Sequence, residues 1–298
     1  VRGGAKVRVV DDLSQGRLEN LAKVYRQIEF IHGDLRDTAL MRRAMRQVHW
    51  VFHQAALRSV PKSVRDPLLY HDINATGTLK LLLLACETGV GRFIYASSSS
   101  VYGNQTSLPE REDLICRPQS PYAVSKLVGE LYGEMMTRLT GLQTVGLRYF
   151  NVFGPRQPLE SEYAVVVPRF ITAILKGRPV PIHGDGRQTR DFTYVDDVVQ
   201  ANLKAAKAQW VAGEVFNVGA GNRHSVRELA RLLGKILKRP VVMRFLPERP
   251  GDVRHTQADL SKAMRRLGYR PSVSFQEGLR RTALWFMENR QVWDTKAG

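Results

Sequence analysis

Tyr122 and Lys126 stand four residues apart in "SPYAVSK" (120–126), behind a serine and a proline that suit the first turn of a helix. Residues four apart share a helical face, so the phenol and the ammonium project together. A phenol of pKa about 10 serves as a base near neutral pH only if that value falls by roughly 3 units, about 4 kcal/mol, and an adjacent ammonium acts in that direction. Earlier in the chain "ASSSSVYG" offers the hydroxyls of Ser97, Ser98, Ser99 and Ser100 at the end of an apolar run. Four serines there exceed what a turn requires, and one of them can hydrogen-bond an oxygen that is losing its proton. A Tyr-x-x-x-Lys spacing alone also describes a packed tyrosine beside a solvated lysine. The serines and Asp11, below, favour the chemical reading.

The elements that must hold these groups alternate. "KVRVVDD" (6–12), "IEFIHGD" (28–34), "HWVFHQAA" (49–56), "RFIYASS" (92–98) and "QTVGLRYF" (143–150) read as strands. "TALMRRAMRQ", "HDINATGTLKLLLLACETG" and "PYAVSKLVGELYGEMMTRLTG" have helical spacing. This alternation predicts βαβ units and an α/β fold, a doubly wound, Rossmann-like parallel sheet covered on both faces, whose ligands bind at the carboxyl ends of the strands. The second half is less regular and predicts a smaller α/β lobe, with helices opened by capping boxes at Ser225–Glu228 and Ser274–Glu277. The expected division is a dinucleotide-binding domain over 1–150 and a mainly substrate-binding domain over 151–298, with some segments returning to the first. Asp11 closes a strand, where a carboxylate either accepts from both hydroxyls of an adenosine ribose, favouring NAD over NADP, or caps a helix.

The chain has 298 residues, a hydrophobic share of 43% and a formal charge of +17. Such an excess suits anionic partners. From Arg223 onward there are 17 basic and 7 acidic residues, so the charge is concentrated in the last quarter. Arg223, Arg227, Arg231 and Lys235 recur every four residues, which reads as a solvated helix face. No nucleic-acid-binding signature accompanies them, so no nucleic-acid partner is expected. The run "LKLLLLAC" is far short of a bilayer span and no leader pattern precedes it; a cytoplasmic protein without a membrane partner is expected. Cys86 and Cys116, without a C-x-x-C, read as buried free thiols. His49 and His53 lie on an expected strand, where four residues span about 13 Å, too far to share a metal.

The ordered motifs "VRVVDDLSQGRLENL", "GDLRD", "HQAA", "ASSSSVYG", "SPYAVSK", "LRYFNVFGPRQ", "GDGRQTRDFTYVDDV", "NVGAG" and "RPGDVRHTQADLSKA" resemble those of the extended short-chain dehydrogenase/reductases that act on nucleotide sugars, and within them the NAD-dependent UDP-hexose 4-epimerases. The resemblance implies a catalytic trio of Ser98, Tyr122 and Lys126, with Tyr122 taking the proton of the sugar 4-hydroxyl while carbon 4 gives up a hydride to NAD. A 4-keto sugar then turns over and takes the hydride back on its other face. It further implies cofactor contacts from Asp11, Asp12, Asp34, Leu35, Ala55, Ala56, Arg58 and Tyr149, beside Tyr122 and Lys126. Substrate contacts would come from Ser100, Asn151, Val165, Arg190, Arg249, Asp252 and Thr256, with Arg190 and Arg249 gripping the diphosphate. A homodimer built on helices like that of Tyr122 is implied as well.

The same resemblance separates substrates. The 4,6-dehydratases carry an Asp-Glu pair where this chain has Ser99 and Ser100, and glucuronate epimerases usually carry threonine at the place of Asn151. Thr256 stands where a bulky tyrosine closes the pocket to a 2-acetamido group in some members, so UDP-GlcNAc and UDP-GalNAc are expected to enter, alongside the plain hexoses. Another epimerase or dehydratase of the family, or a non-catalytic NAD- or sugar-nucleotide-binding protein, is the alternative, because a fold does not establish chemistry. One motif is missing from the printed sequence. The family's first strand and glycine-rich turn precede the acidic strand, and by resemblance Val1–Gly4 are the tail of the following helix, so about 25 residues are expected to lie before Val1 and the printed chain is expected to hold NAD poorly or not at all.

Overall fold

The computed structural model describes residues 1, 3–159, 166–248 and 253–294. Its strands are β1 (Val7–Asp11), β2 (Ile28–His32), β3 (Trp50–His53), β4 (Arg92–Ser98), β5 (Gln143–Tyr149), β6 (Val152–Phe153), β7 (Val180–His183), β8 (Thr189–Arg190), β9 (Thr193–Tyr194), β10 (Glu214–Val218), β11 (His224–Ser225) and β12 (Met243–Leu246). The α-helices are α1 (Thr38–Ala44), α2 (Val60–Arg65), α3 (Pro67–Tyr70), α4 (Gly77–Glu87), α5 (Pro121–Thr140), α6 (Val166–Leu175), α7 (Val195–Lys207), α8 (Val226–Leu237), α9 (Ser261–Leu267) and α10 (Phe275–Glu288). Contacts divide the chain into a first unit of Val1–Ser97, Ser120–Gly146 and Gln209–Glu214, and a second of Ser98–Gln119, Leu147–Ala208 and Val215–Gly298.

The α/β class expected from the alternation of elements is the one observed. In the first unit β1 runs parallel to β2, pairing Val7 with Ile28 through Asp11 with His32, and β3 runs parallel to β4, pairing Trp50 with Arg92 through His53 with Tyr95. Among the described residues β1 and β2 form a sheet of their own, while β3 and β4 belong to a four-stranded sheet in the order β10-β5-β4-β3. The parallel strands of the expected sheet are thus present among the described residues as two ladders. Strand β3 stops at His53, short of the run "HWVFHQAA", because the backbone beyond it leaves the ladder: Leu57 bonds the Asn74 side chain and Ser59 the Tyr70 hydroxyl.

Helix α5 forms where the sequence pattern places it. Pro121 occupies its first turn and the Ser120 hydroxyl accepts the Ala123 amide at 3.2 Å. The long run 71–89 is one helical stretch of two kinds, a π-helical segment His71–Thr76 leading into α4. Such a π segment turns side chains off the ordinary helical register and often marks a working site. Leu81, Leu82, Phe93 and Tyr95 pack with Met41, Met45 and Met136 in this unit's core, each large apolar side chain contributing about 1.5–3 kcal/mol by its removal from water.

In the second unit β12 pairs in parallel with β7 and β6 with β9, while β11 runs antiparallel to β8. Helices α6, α8 and α10 bury Phe170, Ile171, Leu229, Leu233 and Phe286 against Phe153 and Phe192. Both expected caps are present in one direction: Ser225 Oγ accepts the Glu228 amide at 3.1 Å and Ser274 Oγ the Glu277 amide at 3.3 Å. The glutamates do not turn back to close the boxes but reach basic neighbours, Glu228 to His224 and Glu277 to Arg280 and Arg281. Of the basic stripe, Arg223, Arg231 and Lys235 are exposed, whereas Arg227 lies over the Phe245 ring and donates to the Asp185 carbonyl. The two cysteines are free and half-buried rather than buried, Cys86 meeting the Thr140 hydroxyl. No helix among the described residues is long and apolar enough to cross a membrane.

Candidate active site

In the first unit the site is built on α5 and the carboxyl ends of β1, β3 and β4. Lys126, one turn beyond Tyr122 on α5, donates from Nζ to the Ala96 carbonyl of β4 at 2.8 Å. Burial lowers its pKa to about 8, so the ammonium persists at neutral pH but is lost in mild alkali. Ser97 is spent on structure: its hydroxyl bonds the buried Glu130 carboxylate of α5. His53, at the end of β3, is buried and meets Thr78 Oγ1 at 2.9 Å; burial, and after it the Lys126 charge, push its pKa down to about 3 and keep the ring neutral. It is a packed core histidine, and His49 is exposed.

A second group of contacts fixes the loop after β3. Asn74, in the π-helical segment, accepts the Leu57 amide at 2.9 Å, donates to the Leu57 carbonyl at 2.8 Å and donates to Ser125 Oγ at 3.1 Å. Ser125 in turn donates to the Tyr122 carbonyl at 2.7 Å. One buried amide side chain thereby ties the loop carrying Ala55, Ala56 and Arg58 to the turn carrying Tyr122. The sequence reading named neither Asn74 nor Ser125; the available signal was an asparagine three residues before a glycine at the start of an apolar helical run.

At the end of β1 the half-buried Asp11 carboxylate accepts the Leu13 amide at 2.7 Å, and Gly16 passes so close that a Cβ there would sit 2.7 Å from Asp11 Oδ1. Asp12 is exposed and folds onto Ser14, a turn contact. Asp34 is held by Arg36, whose hydrogen bonds keep its carboxyl below the usual range, and Arg36 also reaches Asp72. Leu35 fills space left by Gly77, where a Cβ would collide with its Cδ1. These residues fit a dinucleotide: a carboxylate closely approached by backbone suits ribose hydroxyls, and an ammonium has three donors of which one is given to Ala96.

In the second unit Ser98 caps the short helical turn Ser99–Tyr102, its Oγ accepting from the Ser100 amide at 3.2 Å and the Ser100 hydroxyl at 2.9 Å. The Tyr149 hydroxyl exchanges hydrogen bonds with the Asn202 side chain. Arg190 donates to the Thr189 and Arg254 carbonyls, which leaves its guanidinium backed by main chain. Thr256 is buried and its hydroxyl lies 3.4 Å from both Asn151 Oδ1, to which it donates, and the Asp191 amide, from which it accepts. Val165, Arg249 and Asp252 lie outside the described residues. No cluster able to hold a metal occurs among the described residues.

A parallel α/β framework with a serine-bearing strand end and a Tyr-x-x-x-Lys helix whose lysine bonds the main chain of the same strand defines a dinucleotide-dependent class of protein. The comparisons place the chain within that class. Residues 2–219 match the model of the NAD dependent epimerase/dehydratase family. A UDP-glucose 4-epimerase of Mycolicibacterium smegmatis is 39% identical over 288 residues, 95% of this chain and 91% of the relative. Among solved structures, the UDP-glucose 4-epimerase of Thermotoga maritima with UDP-glucose superposes with a TM-score of 0.92 at 39% identity, over 97% of this chain and 93% of that one. The UDP-N-acetylglucosamine 4-epimerase of Methanobrevibacter ruminantium, in complex with UDP-N-acetylmuramic acid, gives a TM-score of 0.91 at 39% identity over 95% and 91%. The chain belongs to the NAD dependent epimerase/dehydratase family.

Proposed function

We propose that the protein inverts carbon 4 of a UDP-hexose, interconverting UDP-GlcNAc with UDP-GalNAc and UDP-glucose with UDP-galactose. The observation that carries this reading is the Lys126 ammonium, half-buried on the Tyr122 face of α5 and fixed to the Ala96 carbonyl two residues before Ser98 in the chain. Tyr122 takes the proton from the 4-hydroxyl and returns it after the 4-keto sugar has turned. Ser98 hydrogen-bonds the same oxygen, and the Lys126 charge favours the phenolate. NAD, when bound, supplies the acceptor and later the donor of the carbon-4 hydride. Asp11 would hold the adenosine ribose, Asp34 and Leu35 the adenine and Ala55, Ala56 and Arg58 the nicotinamide half, with Asp12 and Tyr149 as further cofactor contacts. Arg190 and Arg249 grip the UDP diphosphate, while Ser100, Asn151, Val165, Asp252 and Thr256 surround the sugar. Residues 1–150 serve the cofactor and 151–298 mainly the substrate.

The relatives, which include UDP-glucose and UDP-N-acetylglucosamine 4-epimerases, support a UDP-sugar. Ser99 and Ser100 in place of acidic residues speak against an elimination, which needs a proton donor there. A cytoplasmic homodimer completes the reading, supported by free thiols and by the exposed apolar residues Val124, Leu131 and Leu139 of α5. The test is incubation with each UDP-sugar and NAD, followed by chromatography of the products: conversion to the 4-epimer supports the reading, and a 4-keto-6-deoxy product would establish the dehydratase alternative.

A further inference from the structure

Four consecutive amides, those of Thr256, Gln257, Ala258 and Asp259, each find an acceptor in the second unit, and two of the acceptors are buried carboxylates. In an extended chain successive amides point to opposite edges. On one edge the Thr256 amide meets the Thr189 carbonyl at 3.2 Å and the Ala258 amide meets Asp191 Oδ2 at 3.0 Å. On the other, Asp259 donates to the Glu110 carbonyl at 2.8 Å, and the Glu110 side chain folds back so that Oε2 accepts the Gln257 amide at 3.1 Å. Each neighbouring segment offers one main-chain acceptor before its ladder runs out, and a carboxylate takes the next position.

Glu110 is 1% exposed and Asp191 fully buried. Burying a carboxylate costs several kcal/mol unless its oxygens are hydrogen-bonded. Asp191 is bonded by the Ala220, Gly221 and Ala258 amides, which join the "NVGAG" turn to the segment. The Glu110 side chain has a narrower task, the single amide beside Thr256. Burial raises Glu110 to about pKa 7, the sign of a carboxyl kept inside at a cost in stability.

We propose that Glu110 is a positioning residue for the sugar pocket, fixing the height of Thr256 through the Gln257 amide and thereby setting the discrimination between 2-acetamido and 2-hydroxy sugars. The inference rests on the assignment of Thr256 to the sugar made above. Withdrawing the acceptor frees the Gln257 amide, the segment shifts along its Glu110 edge, and the Thr256 hydroxyl leaves its place between Asn151 and Asp191. Glu110 touches no substrate in this account.

The experiment measures the dissociation constants of UDP-GlcNAc and UDP-glucose by calorimetry for the full chain and for E110A, E110D and E110Q. The expected result is a change of at least 5-fold in the ratio of the two constants in E110A and a smaller change in E110D, which draws the carboxylate back by one methylene. E110Q, whose amide oxygen can still accept from Gln257, stays within 2-fold of the parent ratio. If E110A fails to fold, E110D carries the test. A merely structural role lowers the folded fraction without moving the ratio, so a ratio unchanged in E110D and E110A overturns the inference alone. E110Q as altered as E110A would also overturn it, because charge rather than position would then matter. A parent chain that binds neither sugar nucleotide overturns the assigned function and this inference together.

Discussion

The Lys126 ammonium and the Ala96 carbonyl oxygen lie 2.8 Å apart, a contact that anchors the second turn of α5 to β4 just before the serines begin. An ion of this kind, lowered to about pKa 8 by burial, gives the site a pH limit. The charge that favours the Tyr122 phenolate is present below pH 8 and disappears above it. We therefore expect kcat/KM to fall as pH rises through about 8, and Lys126→Met to lose at least 100-fold in activity along with that alkaline limb. A parent profile that stays flat to pH 9.5 would contradict the role given to Lys126.

Tyr122→Phe removes one oxygen and the proposed base. Turnover should drop by more than 1,000-fold, on the order of 4 kcal/mol in transition-state terms, with the melting temperature little changed. Ser98→Ala deletes one hydrogen bond to the reacting oxygen and should cost less, about 3 kcal/mol at most. Initial rates with both variants decide the order; a Tyr122→Phe protein within a few fold of the parent would remove the tyrosine from the chemistry.

Asn74 is expected to matter for the fold of the first unit. Replacing it by alanine leaves the Leu57 amide and carbonyl without their partner and should lower stability by about 1–3 kcal/mol, read by urea unfolding. Ser125→Ala, which removes one contact to the Tyr122 carbonyl, should cost less than Asn74→Ala. Equal, negligible losses in both would show that the loop and α5 are held by other means.

Thr256→Tyr should suppress turnover of UDP-GlcNAc far more than that of UDP-glucose, since overfilling a packed site costs on the order of 1–3 kcal/mol and the extra volume falls on the larger sugar. Thr256 is already buried between Asn151 and Asp191, which makes the site intolerant of bulk. Equal losses on the two sugars would detach position 256 from the acetamido group.

Much of this arrangement was legible in the sequence. Periodicity and a Ser-Pro start placed α5, and β-branched runs placed β4 to the residue, because both elements obey local rules. The break between the β1-β2 ladder and the β10-β5-β4-β3 ladder matches the expectation that the family's first strand, central to the sheet, is not among these residues, whereas the exact register of each pair is set by long-range contacts that no local pattern encodes. Glu110 and Asp191 escaped for a related reason. A glutamate in "LPEREDL" and an aspartate in "TRDF" look like surface charges, and only the fold shows them closing the edges of a segment far away in the chain. Capping boxes were half legible: the serines cap as spacing predicts, but the glutamates follow nearby arginines and a histidine instead.

The central claim is a hydride that leaves and returns to the same carbon while Tyr122 handles the proton. Its most direct measurement is turnover of UDP-GlcNAc with NAD in deuterium oxide, with NMR observation of carbon 4 of the product. The account predicts that UDP-GalNAc formed by the parent carries ordinary hydrogen at carbon 4 and that Tyr122→Phe forms none; deuterium at carbon 4 of the product, or inversion by Tyr122→Phe at the parent's rate, would contradict it.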